Sequence, residues 1–92
     1  MEELKTKVEN MVSSKGNKIA NQFLIYANSG VYFQSYRSVI AFKRPGKKTQ
    51  IDSAYWDYSV TTGKYRSQFL NETKKETQAK IDSGEYELTN LN

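Results

Sequence analysis

The stretch Ala54–Leu70, AYWDYSVTTGKYRSQFL, decides how the rest of this chain is organised. It contains the only tryptophan, three of the seven tyrosines and a run of short oxygen-bearing side chains. Such side chains accept hydrogen bonds from the first backbone N–H groups of a helix. Four of them stand together here, namely Asp57, Ser59, Thr61 and Thr62. The stretch therefore predicts a strand-to-helix transition, with the helix beginning near Thr62.

Two helices are predicted downstream of this transition. In the first, Tyr65 and Phe69 are four residues apart and share one face, which is typical of side chains in a core. A second helix is predicted through Ser83, with Asn71 as its cap and Gly84 as its left-handed C′ residue. Because this second helix carries few apolar residues, we expect it to be well exposed. Residues 85–88 alternate after it and predict a short edge strand.

Residues 2–14 show an apolar stripe with helical spacing, formed by Leu4, Val8, Met11 and Val12. Charged residues fill the other positions, and Gly16 can end the element in the left-handed conformation. The pattern predicts an N-terminal helix that covers a sheet. Neither a signal peptide nor a membrane span is expected, since the chain lacks an apolar h-region and a run of about twenty apolar residues.

Residues 19–53 alternate in the manner of β-strands and predict an antiparallel sheet of three or four strands. A strand over 19–27 is followed by the hairpin turn Asn28-Ser29-Gly30. The next strand is predicted from Val31 to Lys43, with a bend or bulge near 35–38 because strands are seldom so long. Pro45-Gly46 is typical of a type II turn, after which a short strand returns.

Together these elements predict an α+β fold with an N-terminal helix, an antiparallel sheet of three to four strands and two C-terminal helices. Residues 1–92 are expected to form a single domain, because so short a chain cannot bury two cores. The composition, 37% hydrophobic and 26% charged, is that of a folded globular protein. The absence of cysteine is typical of intracellular proteins, so a cytoplasmic location is expected.

The composition excludes many catalytic chemistries. Without histidine or cysteine, the chain lacks Ser-His-Asp and Cys-His arrangements and the thiolate or imidazole ligands of metals. Gly63-Lys64 matches only the end of a P-loop, whose other glycine and Ser/Thr are missing. Asp57 is interpreted as a helix cap, since its spacing from Asp52 fixes no common face for acid–base work. The sequence predicts a protein that is not an enzyme and uses no cofactor or metal.

Positive charge dominates the centre of the chain. Between Asn10 and Ile51 there are seven basic residues and no acid, although the net charge is only +4. Such a segment predicts a basic face that attracts nucleic acid or an acidic protein surface, with ordinary solvated lysines as the alternative. The predicted partner-binding residues are Arg37, Lys43, Arg44, Lys47, Lys48, Tyr32, Tyr36 and Tyr58.

Two segments resemble a family of small phage-encoded proteins of uncharacterised function, carried mainly by phages of Gram-positive bacteria. The family pattern S-Y-x-x-x-I-A is matched by Ser35, Tyr36, Ile40 and Ala41. The pattern W-D-Y-S-x-T-T-x-K-Y-x-x-x-F-L is matched by Trp56, Asp57, Tyr58, Ser59, Thr61, Thr62, Lys64, Tyr65, Phe69 and Leu70. The resemblance covers about residues 19–92. It implies no catalytic or binding residue, but it implies a phage accessory protein that binds a host or phage macromolecule.

Three functions follow as hypotheses. The first is a non-enzymatic phage protein that binds and inhibits a host macromolecule, such as a CRISPR-type defence component, through the basic turn 43–48 and exposed tyrosines. The second is a nucleic-acid-binding accessory protein that uses the same surface, with Tyr32, Tyr36 or Tyr58 stacking on bases. The third is a binder or sponge for a small molecule such as a nucleotide, with its pocket at the Asp57–Lys64 helix start.

Overall fold

The computed structural model describes residues 6–92, which form six strands and two helices. In chain order they are β1 (Lys7–Val12), β2 (Lys18–Ala27), β3 (Gly30–Ser35), β4 (Ser38–Lys43), β5 (Gln50–Asp52), α1 (Val60–Leu70), α2 (Lys74–Ser83) and β6 (Glu87–Thr89). The sheet has the order β1-β2-β3-β4-β5-β6. The first five strands form an antiparallel meander, whereas β6 is parallel to β5 because both helices lie in the connection between them.

The α+β class and the two C-terminal helices agree with the prediction, but the predicted sheet is wrong. It has six strands instead of three or four, and it is mixed instead of antiparallel. The additional strands are β1, at the position of the predicted helix, and β6, whose pairing partner β5 lies before both helices. β6 corresponds to the short edge strand predicted over 85–88, but its parallel pairing with β5, far earlier in the sequence, leaves little trace in a local pattern.

The predicted N-terminal helix is wrong. Residues 7–12 form β1, which pairs antiparallel with β2. Met11 enters the core from this strand, whereas Val8 and Val12 are exposed. The helical spacing of apolar residues misleads here because β2 supplies backbone hydrogen bonds that a local pattern does not reveal. Residues 2–5 of the predicted helix lie outside the described part of the chain.

The predicted long strand is in fact two strands, β3 and β4, which reverse direction at Tyr36 and Arg37. Ser35 pairs with Ser38, so the connection is a two-residue hairpin. Tyr36 has a φ of 56°, in the left-handed region that bulky residues rarely adopt. Its backbone N–H donates to the Asn21 carbonyl at 2.7 Å, which helps to hold this conformation. The irregularity predicted near 35–38 therefore lies at the correct position, but it is a full reversal of the chain. Because the turn contains no Gly, Asn or Pro, its residues do not reveal a hairpin.

Both helices are fixed at their ends by local hydrogen bonds. Ser59 is the N-cap of α1, and its Oγ accepts from the backbone N–H three residues later at 3.1 Å. Asn71 ends α1 in the left-handed conformation, so its predicted role as the cap of α2 is wrong. Thr73 caps α2 instead, in a capping box with Glu76. Gly84 ends α2 in the left-handed conformation, as predicted.

The helices cover one face of the sheet, and the hydrophobic core lies between the helices and that face. Phe33 of β3 and Phe69 of α1 stack with their ring centroids 5.6 Å apart. Ile40 and Ala41 are adjacent yet both are buried in this core, because an irregularity in the β3–β4 pairing interrupts the alternation of side chains. The other buried members of the core are Met11, Ile51, Leu70 and Tyr86.

A buried amide lies beneath α1. Gln22 of β2 is fully buried, and neither its Oε1 nor its Nε2 has a hydrogen-bond partner within residues 6–92. It pairs across the strands with Ser35, whose hydroxyl is hydrogen-bonded to that of Thr62 on α1 at 2.9 Å. A buried amide without partners costs about 1–3 kcal/mol of stability. Gln22 therefore lowers the stability of the contact between α1 and the sheet.

Replacement of Gln22 by methionine is expected to raise the free energy of unfolding by about 1–2 kcal/mol, because methionine keeps the side-chain length and removes the amide. Gln34→Met is the matched control in the neighbouring strand. Gln34 Nε2 donates to the Tyr36 carbonyl at 2.7 Å, so its loss should destabilise the protein. Urea unfolding followed by Trp56 fluorescence measures both variants. A Gln22→Met variant less stable than wild type would contradict the prediction.

Candidate functional site

The loop 53–59 joins β5 to α1, and a single buried carboxylate organises its first half. Asp52 Oδ2 accepts hydrogen bonds from the backbone N–H groups of Ala54 at 3.1 Å and Tyr55 at 2.8 Å. Its Oδ1 accepts from the Leu91 N–H at 2.7 Å, which ties the C-terminal residues to the same group. The Trp56 N–H donates to the Asp52 carbonyl at 3.3 Å. The chain direction after β5 is thus set by Asp52.

Arg66 of α1 holds the second half of the loop. Its side chain is only 1% exposed, and Nη1 donates to the Trp56 carbonyl at 2.6 Å and to Asp57 Oδ1 at 3.3 Å. The guanidinium also lies over the Trp56 ring, 4.9 Å from its centroid. Asp57 forms a further ion pair with Lys74 of α2 at 2.7 Å. Because the loop and both helices meet at these groups, the loop backbone has little freedom.

Both carboxylates of this region are stabilised in the ionised form. Burial by itself raises the pKa of Asp52, but hydrogen bonds, led by that from the Leu91 N–H, outweigh burial and hold the pKa below its ordinary value. Burial also opposes the ionisation of Asp57, and the contacts with Lys74 and Arg66 overcome it, so the pKa of Asp57 is lowered as well. At neutral pH Asp52 and Asp57 are therefore both negatively charged, and the loop is held by their contacts.

The fixed loop and the first residue of α1 present three exposed apolar side chains. Tyr55 is 41% exposed, Tyr58 is 46% exposed and Val60 is 91% exposed. The two tyrosine rings contact each other edge to face, with centroids 5.6 Å apart. Tyrosine is enriched in protein interfaces because it offers a large contact area with few rotatable bonds. We refer to Tyr55, Tyr58 and Val60 as the loop platform.

Two of the predicted partner-binding residues are engaged in internal contacts. Lys43 Nζ donates to the Phe69 carbonyl and lies 4.5 Å from the centroid of the Phe69 ring, and burial lowers the pKa of Lys43. Arg44 donates to the Lys48 carbonyl from Nε at 3.1 Å and from Nη2 at 2.8 Å. These side chains fix α1 and the β4–β5 turn. Lys47 and Lys48, in the same turn, are exposed.

The structure does not bring all the predicted residues together. Tyr36 and Arg37 lie in the β3–β4 hairpin, which is at the opposite end of β4 from Lys47 and Lys48. A strand of six residues is about 20 Å long. A small interface with a partner can therefore include the β3–β4 hairpin or the basic turn 43–48, but not both.

The remaining two predicted residues occupy different surfaces. Tyr32 lies on the sheet face opposite the helices, where its ring stacks on that of Phe42 with centroids 3.8 Å apart. Tyr58 belongs to the loop platform. The hydrogen bond between Ser35 and Thr62 places the β3–β4 hairpin at the start of α1, near this platform. Of the predicted residues, Tyr36, Arg37 and Tyr58 thus lie at one end of the molecule.

A cavity of about 550 Å³ opens beside the loop platform, where α1 and α2 begin. We refer to it as the α1 pocket. Its lining includes the uncharged residues Val60 and Gly63. The charged side chains that line it are Asp57, Lys64, Arg66 and Lys74. Three positive charges and one negative charge therefore face the same recess, at the helix start where the sequence predicted a small-molecule site.

Two further features are absent from the described residues, 6–92. Among them, no group of three or more acidic side chains is placed to hold a metal ion. Neither α1 nor α2 is long and apolar enough to cross a bilayer. The loop platform, the α1 pocket and the exposed bases are the features that we interpret below.

Sequence reasoning missed Arg66 as a residue of this site. A basic residue in a short helix is usually solvated, and its local context gives no reason for burial. Its spacing does give a signal, because Arg66 follows Thr62 by four residues and precedes Phe69 by three, on the stripe that faces the sheet. Asp57 was predicted to cap the helix. Ser59 takes that role, and Asp57 instead neutralises Arg66 and Lys74.

Comparison with known proteins identifies a family without a known function. No significant match was found among curated proteins or among solved structures. Residues 6–85 match the model of a protein family described as a family of unknown function, DUF8033. The matched range contains the first five strands, both helices, the loop platform and the α1 pocket. The chain therefore belongs to the family of unknown function DUF8033.

Proposed function

We propose that this protein is a non-enzymatic binding protein that presents the loop platform to a macromolecular partner and acts by covering the partner's surface. The observation that carries the proposal is the exposure of Tyr55, Tyr58 and Val60 around a backbone held by Asp52 and Arg66. A backbone already fixed loses little conformational freedom on binding. Aromatic anchors on such a loop can therefore supply most of the binding energy.

The resemblance of residues 19–92 to small phage-encoded proteins supports a finer form of the proposal. In this form the chain is a phage accessory protein in the cytoplasm of the host cell. Its partner is a host protein or ribonucleoprotein that it inhibits, such as a CRISPR-type defence component. Inhibition by occlusion requires no catalytic group, so it is compatible with a chain that has neither histidine nor cysteine.

Tyr55→Ser combined with Tyr58→Ser is expected to weaken partner binding by about 2 kcal/mol or more, a loss of about thirtyfold in affinity, because both anchors are removed. Affinity capture from infected host lysate, followed by mass spectrometry, identifies the partner. Titration of the purified partner then measures the loss. Tyr26→Ser is the matched control, since Tyr26 is 37% exposed on β2, outside the platform. Equal loss in the control would contradict the proposal.

The basic turn provides the competing surface for nucleic acid. Lys47→Glu with Lys48→Glu reverses its exposed charges and leaves Lys43 and Arg44, which have internal contacts, unchanged. Labelled single- and double-stranded DNA should be titrated at two salt concentrations, because binding through phosphates weakens steeply with salt. Two results together would overturn the platform proposal and assign function to the basic turn. The first is salt-sensitive DNA binding that disappears in this double variant. The second is partner capture that the platform substitutions do not affect.

A further inference from the structure

The wall of the α1 pocket contains the buried guanidinium of Arg66, which has a hydrogen-bond donor without an acceptor among residues 6–92. Arg66 Nε is buried and has no hydrogen-bond acceptor in the described part of the chain. Nη1 is divided between the Trp56 carbonyl and Asp57. A guanidinium has five N–H donors, and in a buried site these favour an anionic acceptor. Arg66 therefore points to an anion as the ligand of this pocket.

The charge balance of the pocket favours the same class of ligand. Among the lining residues within 6–92, Asp57 is the only acid, and it is already shared between Arg66 and Lys74. Lys64 contributes a further positive charge from the second turn of α1. This excess of positive charge, gathered on one recess, attracts anions to it.

Gly63 gives a ligand access to the guanidinium. A Cβ at this position would lie 3.7 Å from both Nη1 and Nη2 of Arg66 and 3.8 Å from Asp57 Oδ1. Gly63 lies inside α1 with ordinary helical geometry, where glycine is less favourable than alanine by about 1 kcal/mol. The backbone does not require glycine here. Its effect is to leave the space in front of Arg66 free.

We propose that the α1 pocket binds the phosphate group of a small molecule. The phosphate lies beside Gly63 and faces Arg66, while Lys64 and Lys74 close over it. The cavity of about 550 Å³ is within the size range of small-ligand sites and is larger than a phosphate ion requires. The rest of the ligand rests against Val60 at the rim. The α1 pocket shares Val60 with the loop platform. Phosphate binding nevertheless does not require the proposed partner contact, since its charged ligating groups lie outside the platform.

An NMR titration of the ¹⁵N-labelled protein tests the proposal. The probes are inorganic phosphate, ribose 5-phosphate and AMP, with ribose and adenosine as uncharged counterparts. The Arg66 Nε–H is buried, so it should exchange slowly and give its own resonance. We expect the two esters to shift this resonance and the backbone amides of residues 60–64, and the uncharged probes to shift neither. Equal affinity for inorganic phosphate and the esters would overturn the small-molecule part of the proposal.

Three variants make the test specific. Gly63→Ala is expected to weaken ester binding about tenfold or more while the midpoint of thermal unfolding stays equal or rises, because alanine fills the access to Arg66 and favours helix. Lys64→Gln with Lys74→Gln should weaken it to a similar extent. Lys75→Gln is the matched control, since Lys75 follows Lys74 in α2 but does not line the pocket. Wild-type affinity in Gly63→Ala, or shifts confined to Lys47 and Lys48, would overturn the proposal.

Discussion

Gly30→Ala is expected to destabilise the protein by about 3–5 kcal/mol, because it combines backbone strain with severe overpacking. Gly30 has a φ of +154°, which L-residues rarely adopt. A Cβ there would lie 2.1 Å from the Lys43 carbonyl oxygen and 2.8 Å from the Phe42 ring. The carbonyl belongs to the backbone of β4, so relief of the clash has to move β3 away from β4. Chemical unfolding followed by circular dichroism measures the loss.

Gly46→Ala separates the two contributions. Gly46 also has a positive φ, of +74°, but a Cβ there would meet no atom of the described residues within 4 Å. This control carries backbone strain without a clash, and its expected cost is about 1–2 kcal/mol. If both variants lose the same amount of stability, the close contact between residue 30 and β4 does not contribute to the loss, which contradicts the prediction.

Asp52→Asn is expected to lower the free energy of unfolding by about 2–4 kcal/mol, because the buried side chain then presents an NH₂ group to backbone donors. In one orientation of the amide the hydrogen bond from Leu91 is lost, and in the other those from Ala54 and Tyr55 are lost. Asp82→Asn is the control. Asp82 lies on the exposed side of α2, where it accepts from the exposed Gln78 side chain, so its replacement should cost much less.

The same substitution changes the response to acid. The pKa of Asp52 is lowered in the folded protein, so its contribution to stability is present above its ordinary pKa of 3.8 and is lost as the pH falls through the folded value. Wild type should therefore lose stability below about pH 4, and the gap between wild type and Asp52→Asn should narrow. Unfolding midpoints measured from pH 7 down to pH 3 check this. A gap that stays constant with pH would contradict the assignment.

The helical half of the fold was accessible from the sequence because its signals are local. Ser59 and Gly84 act within one turn of the helix end that they fix, so their chemistry is visible in neighbouring residues. The cap of α2 was still misplaced by two residues, at Asn71 instead of Thr73. The strand-rich half was not accessible to the same degree. β1 exists because β2 pairs with it, and its own residues also satisfy a helical pattern. The reversal at Tyr36 depends on a hydrogen bond to Asn21, fifteen residues earlier.

The candidate site divides in the same way. The sequence indicated exposed tyrosines and a basic turn, and the structure places Tyr58 in the loop platform and leaves Lys47 and Lys48 exposed in the turn. It also gives Lys43 and Arg44 internal partners, although Lys43 remains exposed and Arg44 is half-buried. Arg66 shows the opposite case. It reads as a solvated base in the sequence and is the most deeply enclosed charge of the pocket.

The sequence by itself determined that the chain has no histidine or cysteine, that the second helix would end at Gly84 and that Ala54–Leu70 would join a strand to a helix. These properties follow from composition and from contacts within a few residues. Only the tertiary structure decided which side chains of that stretch face the partner, the pocket or the core. The physical reason is that a charge or an aromatic ring is buried or exposed according to what packs on it. For Asp52 and Arg66 those groups come from other elements of the fold.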